Sequence, residues 1–192
     1  TYFAVSPTPE DWSAERVQSF YREYNAHMIH NLTVHEAMPG HVLQLAHSRR
    51  FQAPTQVRDA FWSGPFTEGW AVYAEEIMVA AGYGGDAMRM QQLKMQLRMV
   101  INAILDARVH AHGMTEAEAM ALMTERGHQE QGEAVGKWRR ALLTSGQLST
   151  YYVGFTEVAD LARDLAAAHP DWSVRQRNDA MLGHGSPAPR HL

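Results

Sequence analysis

The sequence predicts a mostly α-helical domain with a short β strand at its N-terminal edge. Apolar residues recur at the three- and four-residue spacing of helices in six to eight segments of the 192-residue chain. Only the opening letters, TYFAVS, show the alternation and aromatic content of a strand. Because a chain of this length fits one ordinary domain, we expect residues 1–192 to form a single unit.

The predicted elements begin with this strand, which is closed by Pro7 and Pro9. A helix is predicted from Asp11 over DWSAERVQSFYREYN, and a second helical segment runs from about residue 25 to residue 50. A loop rich in proline and glycine then leads to the helix TEGWAVYAEEIMVAAGYGG, which is ended by its glycines. The chain is therefore predicted to be helical soon after its start.

The second half of the chain predicts four or more further helices. DAMRMQQLKMQLRMVINAILDARVHAHG is the longest, and we interpret its apolar stripe as part of the core. The stripe consists of Met90, Leu93, Leu97, Val100, Ile101 and Ile104. Thr115 with Glu118 is a capping box that opens the next helix. Two more helices are expected at about 129–144 and 148–168, and Ser173 caps a last short one.

Composition and charge exclude several classes of protein. The apolar runs fall short of the roughly 18 residues that indicate a membrane span, so no span is expected. The net charge is -4 and the basic residues are scattered along the chain, which argues against a nucleic-acid surface. The content of 45% hydrophobic and 20% charged residues is typical of a globular protein.

The chain contains no cysteine and eleven histidines. The absence of cysteine excludes disulfides, thiolate metal sites and cysteine nucleophiles. Any bound metal must therefore be held by imidazole and carboxylate groups. That ligand set suits zinc first, and iron, manganese or cobalt next.

The clearest chemical signal is TVHEAMPGHVLQ, which holds His35, Glu36 and His41. Two histidines on one zinc ion bring their nitrogens to about 3.4 Å apart. On a regular helix, a residue six positions along points about 120° away and lies about 9 Å further along the axis. An undistorted helix would therefore keep the two imidazoles apart.

Pro39 and Gly40 are well suited to distort that helix. Pro39 has no N–H to bond the carbonyl of His35, and its ring crowds the same carbonyl. Gly40 tolerates backbone angles that are closed to other residues. We therefore predict a local bulge that returns His41 toward His35.

A zinc hydrolase needs a base and a third protein ligand besides two histidines. Glu36 would take a proton from the attacking water and later give it to a leaving amine. We choose Glu68, on a following helix, as the third ligand. Glu75 lies seven residues further along, on nearly the same face, and is the fallback.

Other interpretations of these residues remain open. His35 and His41 could be satisfied core histidines in a chain rich in histidine. His27 with His30 could form a surface metal site. Glu125 with His128 resembles the ExxH pairs of di-iron bundles, although the other required ligands cannot be assembled. Ser186 is a weak candidate for a serine nucleophile, because no nucleophile elbow precedes it.

The same segments resemble a known family. HEAMPGHVLQ resembles the HExxPGHxxQ signature of the bacterial zincin-like proteins called domain of unknown function 885. In order along the chain, TEGWAVYAEE matches the family's EGWAxYxE, RMVINAILDARVHAHGMT its arginine, aspartate and histidine helix, GQLSTYYVG its GQxxSYxxG, and GHGSPAP its block near the end. Five matched blocks over residues 31–189 make this resemblance specific.

The resemblance implies a mostly α, zincin-like (gluzincin) helical domain that holds Zn²⁺. By the family pattern, zinc is bound by His35, His41 and Glu68, and Glu36 is the base. EGWAVYAEE also looks like the NEGFAxYxE segment of gluzincin aminopeptidases, whose glutamate is a zinc ligand. That likeness supports Glu68, and it leaves Glu75 for a position next to the ligands.

Four further residues match the family's motifs. The resemblance implies that Asp106 orients an imidazole from beside the ligands and that His110 lies near the substrate. Either Tyr151 or His184 would donate a hydrogen bond to the oxyanion of a tetrahedral intermediate. Packing and loop-fixing roles for Tyr151 and His184 are equally open alternatives.

The chain departs from the family in two respects. Tyr152 stands where the family has a lysine, which removes a charge from the expected substrate groove. Family members are also usually much longer, and this chain resembles only their C-terminal part. We therefore expect a missing N-terminal segment or a partner chain, which in the family would close the cleft.

The first functional hypothesis is a zinc metallopeptidase that cleaves peptides or small amide conjugates, with TYFAV as an edge strand along which an extended substrate lies. The alternative is a metal-binding but catalytically degenerate domain that acts as a binding module or subunit. A third hypothesis is a helical interaction domain without metal. Activity that depends on Glu36 would distinguish the first from the second, and metal content would distinguish the third.

Overall fold

The protein is described by a computed structural model that covers residues 3–192, with Thr1 and Tyr2 outside the described part. Within these residues the chain is mostly helical and contains no strand, which confirms the mostly α class. The helices are α1 Ala14–Glu23, α2 Ala26–Glu36, α3 His41–Arg50, α4 Gln56–Ala60, α5 Gly64–Ala80, α6 Gly85–His112, α7 Glu116–Ala121, α8 Gln131–Leu143, α9 Thr150–Ala168 and α10 Val174–Leu182. A π-helical turn, Leu122–Arg126, follows α7, and a 3-10 turn, Pro189–His191, lies near the end.

The predicted N-terminal β edge is wrong for the part of it that the structure describes. Residues 3–6 have no strand geometry, and Phe3 and Val5 are exposed. Alternating residues form a strand only where a neighbouring strand accepts and donates backbone hydrogen bonds, and residues 3–192 offer none. This stretch therefore supplies no edge strand for an extended substrate.

The chain divides into two compact units. The first comprises the residues up to Thr33 together with Met78–Ser149. Its core is formed by α6, α7, α8 and the π-helical turn, and consists of Ile101, Leu105, Met114, Ala119, Met123, Ala134 and Trp138. Thr115 and Glu118 form the predicted capping box, with both reciprocal hydrogen bonds present.

Buried charges join three helices of the first unit. Glu23, at the end of α1, is almost fully buried and pairs with Arg98 and Lys94 on α6. Its second oxygen accepts the backbone N–H of Glu130, the residue before α8, at 2.8 Å. Because a buried carboxylate is stable only when its charge and its hydrogen bonds are satisfied, Glu23 fixes the register of these helices.

The apolar stripe of α6 is not core, contrary to the prediction. Ile101 is buried, but the other five stripe residues are exposed by 36% to 65% of their surface. Those five are Met90, Leu93, Leu97, Val100 and Ile104. The opposite face of α6 carries the buried residues Met99, Asn102, Leu105 and Asp106. The helix is therefore apolar on two sides, and periodicity alone did not indicate which side the unit buries.

The second unit comprises Val34–Ile77 and Thr150–Leu192. Its core consists of Phe66, Trp70, Val158, Met181 and Leu182. Helices α5 and α9 meet there at two glycines: a Cβ added to Gly69 would lie 2.2 Å from the carbonyl carbon of Gly154, and one added to Gly154 would lie 1.9 Å from the oxygen of Pro65. No other residue type fits at this crossing, which brings the first turns of the two helices together.

None of the described helices combines the length and the apolar character that crossing a bilayer requires.

The first unit generates a prediction about pH. Burial lowers the pKa of Lys137 from 10.5 to about 7, helped by the charge of Arg98 and opposed by that of Glu133. In the unfolded chain, Lys137 keeps its proton up to its ordinary pKa of 10.5. Burying the charged Lys137 therefore lowers the free energy of unfolding by its full amount below pH about 7, and this loss disappears as the pH rises to about 10.5. Lys137→Met is therefore expected to raise the free energy of unfolding near pH 6, and the gain should shrink toward pH 10.

Urea denaturation of both proteins across this pH range measures the difference. Arg139→Met, at an exposed position of the same helix, is the matched control and should differ little from the wild type at any pH. A gain for Lys137→Met that does not change with pH would contradict the prediction.

Candidate metal centre

The backbone between α2 and α3 folds back on itself. Helix α2 ends at Glu36, and α3 begins at His41 after a four-residue turn. The Gly40 N–H donates to the Val34 carbonyl at 3.0 Å, and the Val42 N–H donates to that of Ala37 at 3.1 Å. The helix predicted from residue 25 to residue 50 is thus two helices, separated at the proline and glycine.

Gly40 is required at this turn for steric reasons. A Cβ at this position would lie 1.9 Å from the carbonyl oxygen of His35 and 2.4 Å from that of Val34. The indole N–H of Trp70, on α5, donates to the Pro39 carbonyl at 2.9 Å and ties the turn to that helix.

The fold brings two imidazoles and one carboxylate to a common point. The rings of His35 and His41 are 4.8 Å apart between centroids and nearly perpendicular. Oε2 of Glu68 lies 3.5 Å from Nε2 of His35 and 3.7 Å from Nε2 of His41. These two separations are close to the roughly 3.4 Å between donor atoms on a tetrahedral metal ion.

Glu75 holds the other side of the His35 ring. Its Oε1 lies 2.6 Å from Nδ1 of His35, and both side chains are buried. A carboxylate on Nδ1 fixes the imidazole so that Nε2 faces away from it, which is the arrangement found around metal-bound histidines. Glu75 therefore lies beside the ligand set, and Glu68 is the carboxylate that faces both histidines.

The electrostatics of the cluster favour positive charge. Burial of His35 by itself would lower its pKa, but hydrogen bonds and charges from Glu68 and Glu75 raise that pKa to about 10. Burial and the neighbouring His35 lower the pKa of His41. Without a metal ion, a protonated His35 imidazole lies between the carboxylates of Glu68 and Glu75. A divalent cation would balance the two negative charges more completely, so the chemistry of the donor set fits a metal ion.

Glu36 lies at the solvent side of this cluster. His35, Glu36 and His41 each place one donor atom within 4.8 Å of the others. His35 is buried, whereas Glu36 is exposed. A carboxylate that is near the ligands and open to solvent has the position of a general base that a substrate can reach.

Tyr151 and His184 belong to the same unit as the cluster. Tyr151 is half-buried in the first turn of α9, one turn before the Gly154 crossing with α5. His184 is exposed, and its backbone carbonyl accepts a hydrogen bond from Arg58. Their predicted roles as oxyanion donors stay predictions.

Asp106 and His110 belong to the other unit, where they have defined partners. Asp106 accepts hydrogen bonds from the N–H groups of Gly146 and Ser149 and from the Ser149 hydroxyl, at 2.8 to 2.9 Å. Burial would raise its pKa, but these hydrogen bonds lower it. His110 Nε2 lies 3.0 Å and 2.8 Å from the carbonyl oxygens of residues 141 and 144. Both side chains thus fix the loop before α9, and their predicted roles beside the ligands and near substrate stay predictions.

Hydrogen bonds that the sequence did not predict anchor the GHGSPAP segment, residues 183–189. Gln44, fully buried on α3, donates through Nε2 to the Ser186 hydroxyl at 2.7 Å. That hydroxyl also lies 3.1 Å from Ser48 Oγ, and the Ser186 carbonyl accepts the N–H of Ser63 at 3.0 Å. Gln44 follows His41 by three residues within the quoted motif, which was the available signal.

The competing sites are not assembled in the part of the chain that the structure describes. Over residues 3–192, the only group of three or more histidine or acidic side chains arranged for a metal consists of His35, Glu36 and His41. Glu68 faces both imidazoles but lies outside that group. The pairs at 27 and 30 and at 125 and 128 therefore gain no further ligands. Ser186 is buried, and its hydroxyl is bonded to Gln44 and Ser48 rather than to a base.

Comparison with known proteins gives one family and related structures. Residues 1–192 match the family described as bacterial protein of unknown function (DUF885). A candidate lipoprotein of unknown function from Shewanella oneidensis is 38% identical, with a TM-score of 0.87, over 99% of this chain and 35% of that protein. A candidate lipoprotein from Colwellia psychrerythraea is 23% identical, with a TM-score of 0.81, over 88% of this chain and 29% of that protein.

The chain therefore spans about a third of the length of the solved proteins it matches. No curated protein matches it.

The turn at Gly40 generates a test of stability. Gly40→Ala places a methyl group against two carbonyl oxygens of α2, so we expect the free energy of unfolding to fall by about 2–4 kcal/mol. Thermal unfolding followed by circular dichroism should show a clear fall in the midpoint. Gly136→Ala, in α8 with open space around its Cβ, is the control and should stabilise by up to about 1 kcal/mol. Equal stability of Gly40→Ala and the wild type would show that the turn tolerates a side chain.

Proposed function

This chain belongs to the bacterial family of unknown function DUF885, and we propose that it is a zinc-dependent hydrolase of peptide or small amide bonds. The single observation that carries the proposal is that Oε2 of Glu68 lies 3.5 Å from Nε2 of His35 and 3.7 Å from Nε2 of His41. Glu75 supports it by holding the second nitrogen of His35.

The proposed ligands would be Nε2 of His35, Nε2 of His41 and a carboxylate oxygen of Glu68. Three protein ligands leave the fourth position of a tetrahedral ion open, which is typical of catalytic rather than structural zinc sites. When bound there, zinc would act as a Lewis acid toward a substrate carbonyl and would lower the pKa of water. This ligand set, with a glutamate on a second helix, is the basis for the proposed gluzincin-like character.

Glu36 would perform the proton transfers. Its carboxylate would accept a proton from the attacking water and then donate it to the nitrogen of the leaving amine. Its exposure and its place next to His35 in the chain support this role, because the group must reach both the water and the substrate. Tyr151 and His184 are the proposed donors to the negative oxygen that develops on the carbonyl carbon.

Gly40, Trp70 and Glu75 would position these groups rather than react. Gly40 permits the turn, the Trp70 N–H holds the Pro39 carbonyl, and Glu75 sets the direction of the His35 ring. A catalytic site depends on such fixed supports, because a displacement of about 1 Å can cost roughly a hundredfold in rate. Trp70 and Glu75 lie on helix α5, which is a rigid element, and Gly40 lies in the turn directly before α3.

A second candidate function follows from the length of the relatives. The chain matches only 35% and 29% of the two solved proteins, so a complete substrate cleft could require more polypeptide. In that case the domain would bind metal and act as a binding module or subunit without turnover. A partner chain or a further segment would then supply the remaining wall of the cleft.

The ligand assignment predicts one zinc ion per chain. Protein purified without chelators should contain close to one equivalent of zinc by elemental analysis, and Glu68→Gln should lower zinc affinity by at least about tenfold. Glu76→Gln, on the same helix, is the matched control and should retain zinc. Absence of zinc from the wild type, or full retention by both His35→Ala and His41→Ala, would contradict the assignment.

The role of Glu36 predicts a separation of binding from turnover. Glu36→Gln should retain zinc and lose hydrolysis of a peptide library by a factor of about 10²–10⁴, since the amide cannot accept the proton. Glu10→Gln is the control: it changes an exposed carboxylate in the first unit, whereas Glu36 lies in the second, and it should leave activity unchanged. Bound zinc without turnover in the wild type would favour the binding module, and equal activity of Glu36→Gln would exclude Glu36 as the base.

A further inference from the structure

The outer face of α6 carries an uncovered apolar seam. We define the seam as Met90, Leu93, Leu97, Val100 and Ile104. The spacings along it are three, four, three and four residues, which place all five side chains on one side of a helix. This alternation is the a/d pattern of a helix that packs lengthwise against another helix.

The seam is unusual because the same helix already has a buried face. Leu105 and Met99 belong to that buried face, about opposite the seam. A helix that is apolar on both sides is normally enclosed on both sides. Five exposed large apolar residues in one row also exceed the scattered exposure that protein surfaces ordinarily show.

The flanks of the seam are basic. Arg89 lies on one side, and Lys94 and Arg108 lie on the other. Helix α6 has two carboxylates: Asp86 is exposed in its first turn, one turn before Met90, and Asp106 is buried. Lys94 is partly neutralised by Glu23 and Arg108 by Glu118 at 3.9 Å, whereas Arg89 is exposed. The flanks therefore favour a partner with acidic residues beside its apolar row.

A second copy of this chain in parallel orientation fits the seam poorly. A parallel pair would place Arg89 beside Lys94, because flanking residues five positions apart meet in parallel coiled coils. That arrangement brings like charges together, which is destabilising.

We propose that the seam is the docking face for an amphipathic helix with acidic flanks, supplied by the additional polypeptide that the longer relatives carry. The relatives provide ample chain for it, since this sequence matches only 35% and 29% of their lengths. The proposal does not depend on zinc, because the seam and the metal cluster are formed by different residues. Its occupant is a helix with apolar residues at heptad spacing and glutamate or aspartate beside them.

Two synthetic peptides of about three heptads test the recognition. Both carry leucine at the a and d positions; one has glutamate at e and g, and the other has lysine there. Fluorescence anisotropy with the full chain at low salt should show the glutamate peptide binding at least tenfold more tightly. Leu97→Glu and Met90→Glu should each weaken that binding by tenfold or more. Gln131→Glu, at an exposed position of α8 in the same unit, should leave it unchanged.

Several outcomes would overturn the proposal. These are equal binding of the two peptides, no binding at millimolar peptide, or unchanged binding by the Leu97→Glu variant. Sedimentation velocity tests the second copy: a dimer of the wild type that Leu97→Glu converts to a monomer would show that the chain itself is the occupant. In the solved Shewanella protein, the helix matched to α6 should be covered by chain outside the matched third, and a bare helix there would exclude the proposed source.

Discussion

The close approach of Gly40 to the His35 carbonyl is the constraint on which the rest of the candidate site depends. A backbone atom of one helix lies where any other residue would place its Cβ, and the chain is thereby turned so that α3 starts beside the end of α2. Two histidines six positions apart meet only because of this turn. The indole N–H of Trp70 donates a hydrogen bond to the Pro39 carbonyl, and this bond connects the turn to α5. The placement of the two imidazoles thus depends on a glycine at position 40.

Helix α5 completes the cluster with two carboxylates from one of its faces. Glu68 and Glu75 are seven residues apart, two helical turns, and they meet opposite nitrogens of the same imidazole, at 3.5 and 2.6 Å. The His35 ring is therefore oriented from both ends, and the negative charges of Glu68 and Glu75 raise its pKa. Gly69, next to Glu68, lets α9 approach α5 closely, so packing and ligand placement are set by adjacent residues. A divalent cation would satisfy this concentration of carboxylate charge without leaving an imidazole protonated in the interior.

The sequence allowed the helices and the cluster to be predicted where the signal was local. The capping box at Thr115 and the break at Pro39 and Gly40 depend on neighbouring residues, and both are present. The contacts of Gln44 with Ser186 and of Gly69 with Gly154 join distant segments, and no local pattern specifies them. The strand predicted at TYFAVS is absent from residues 3–6, the part of it that the structure describes, since alternation does not provide a neighbouring strand. The stripe on α6 was assigned to the core because periodicity identifies an apolar face without saying what covers it. The predicted role of Asp106 beside the ligands stays a prediction, and the hydrogen bonds that its carboxylate accepts from Gly146 and Ser149 join it to a loop that no local pattern indicated.

The central claim is that His35, His41 and Glu68 share one divalent cation. Anomalous scattering from crystals of the wild-type protein, collected on either side of the zinc absorption edge, tests it most directly. The account predicts a single strong anomalous peak within about 2.0–2.2 Å of Nε2 of His35, Nε2 of His41 and a carboxylate oxygen of Glu68. A peak at other residues, or none between these three side chains in crystals grown with zinc, would contradict it.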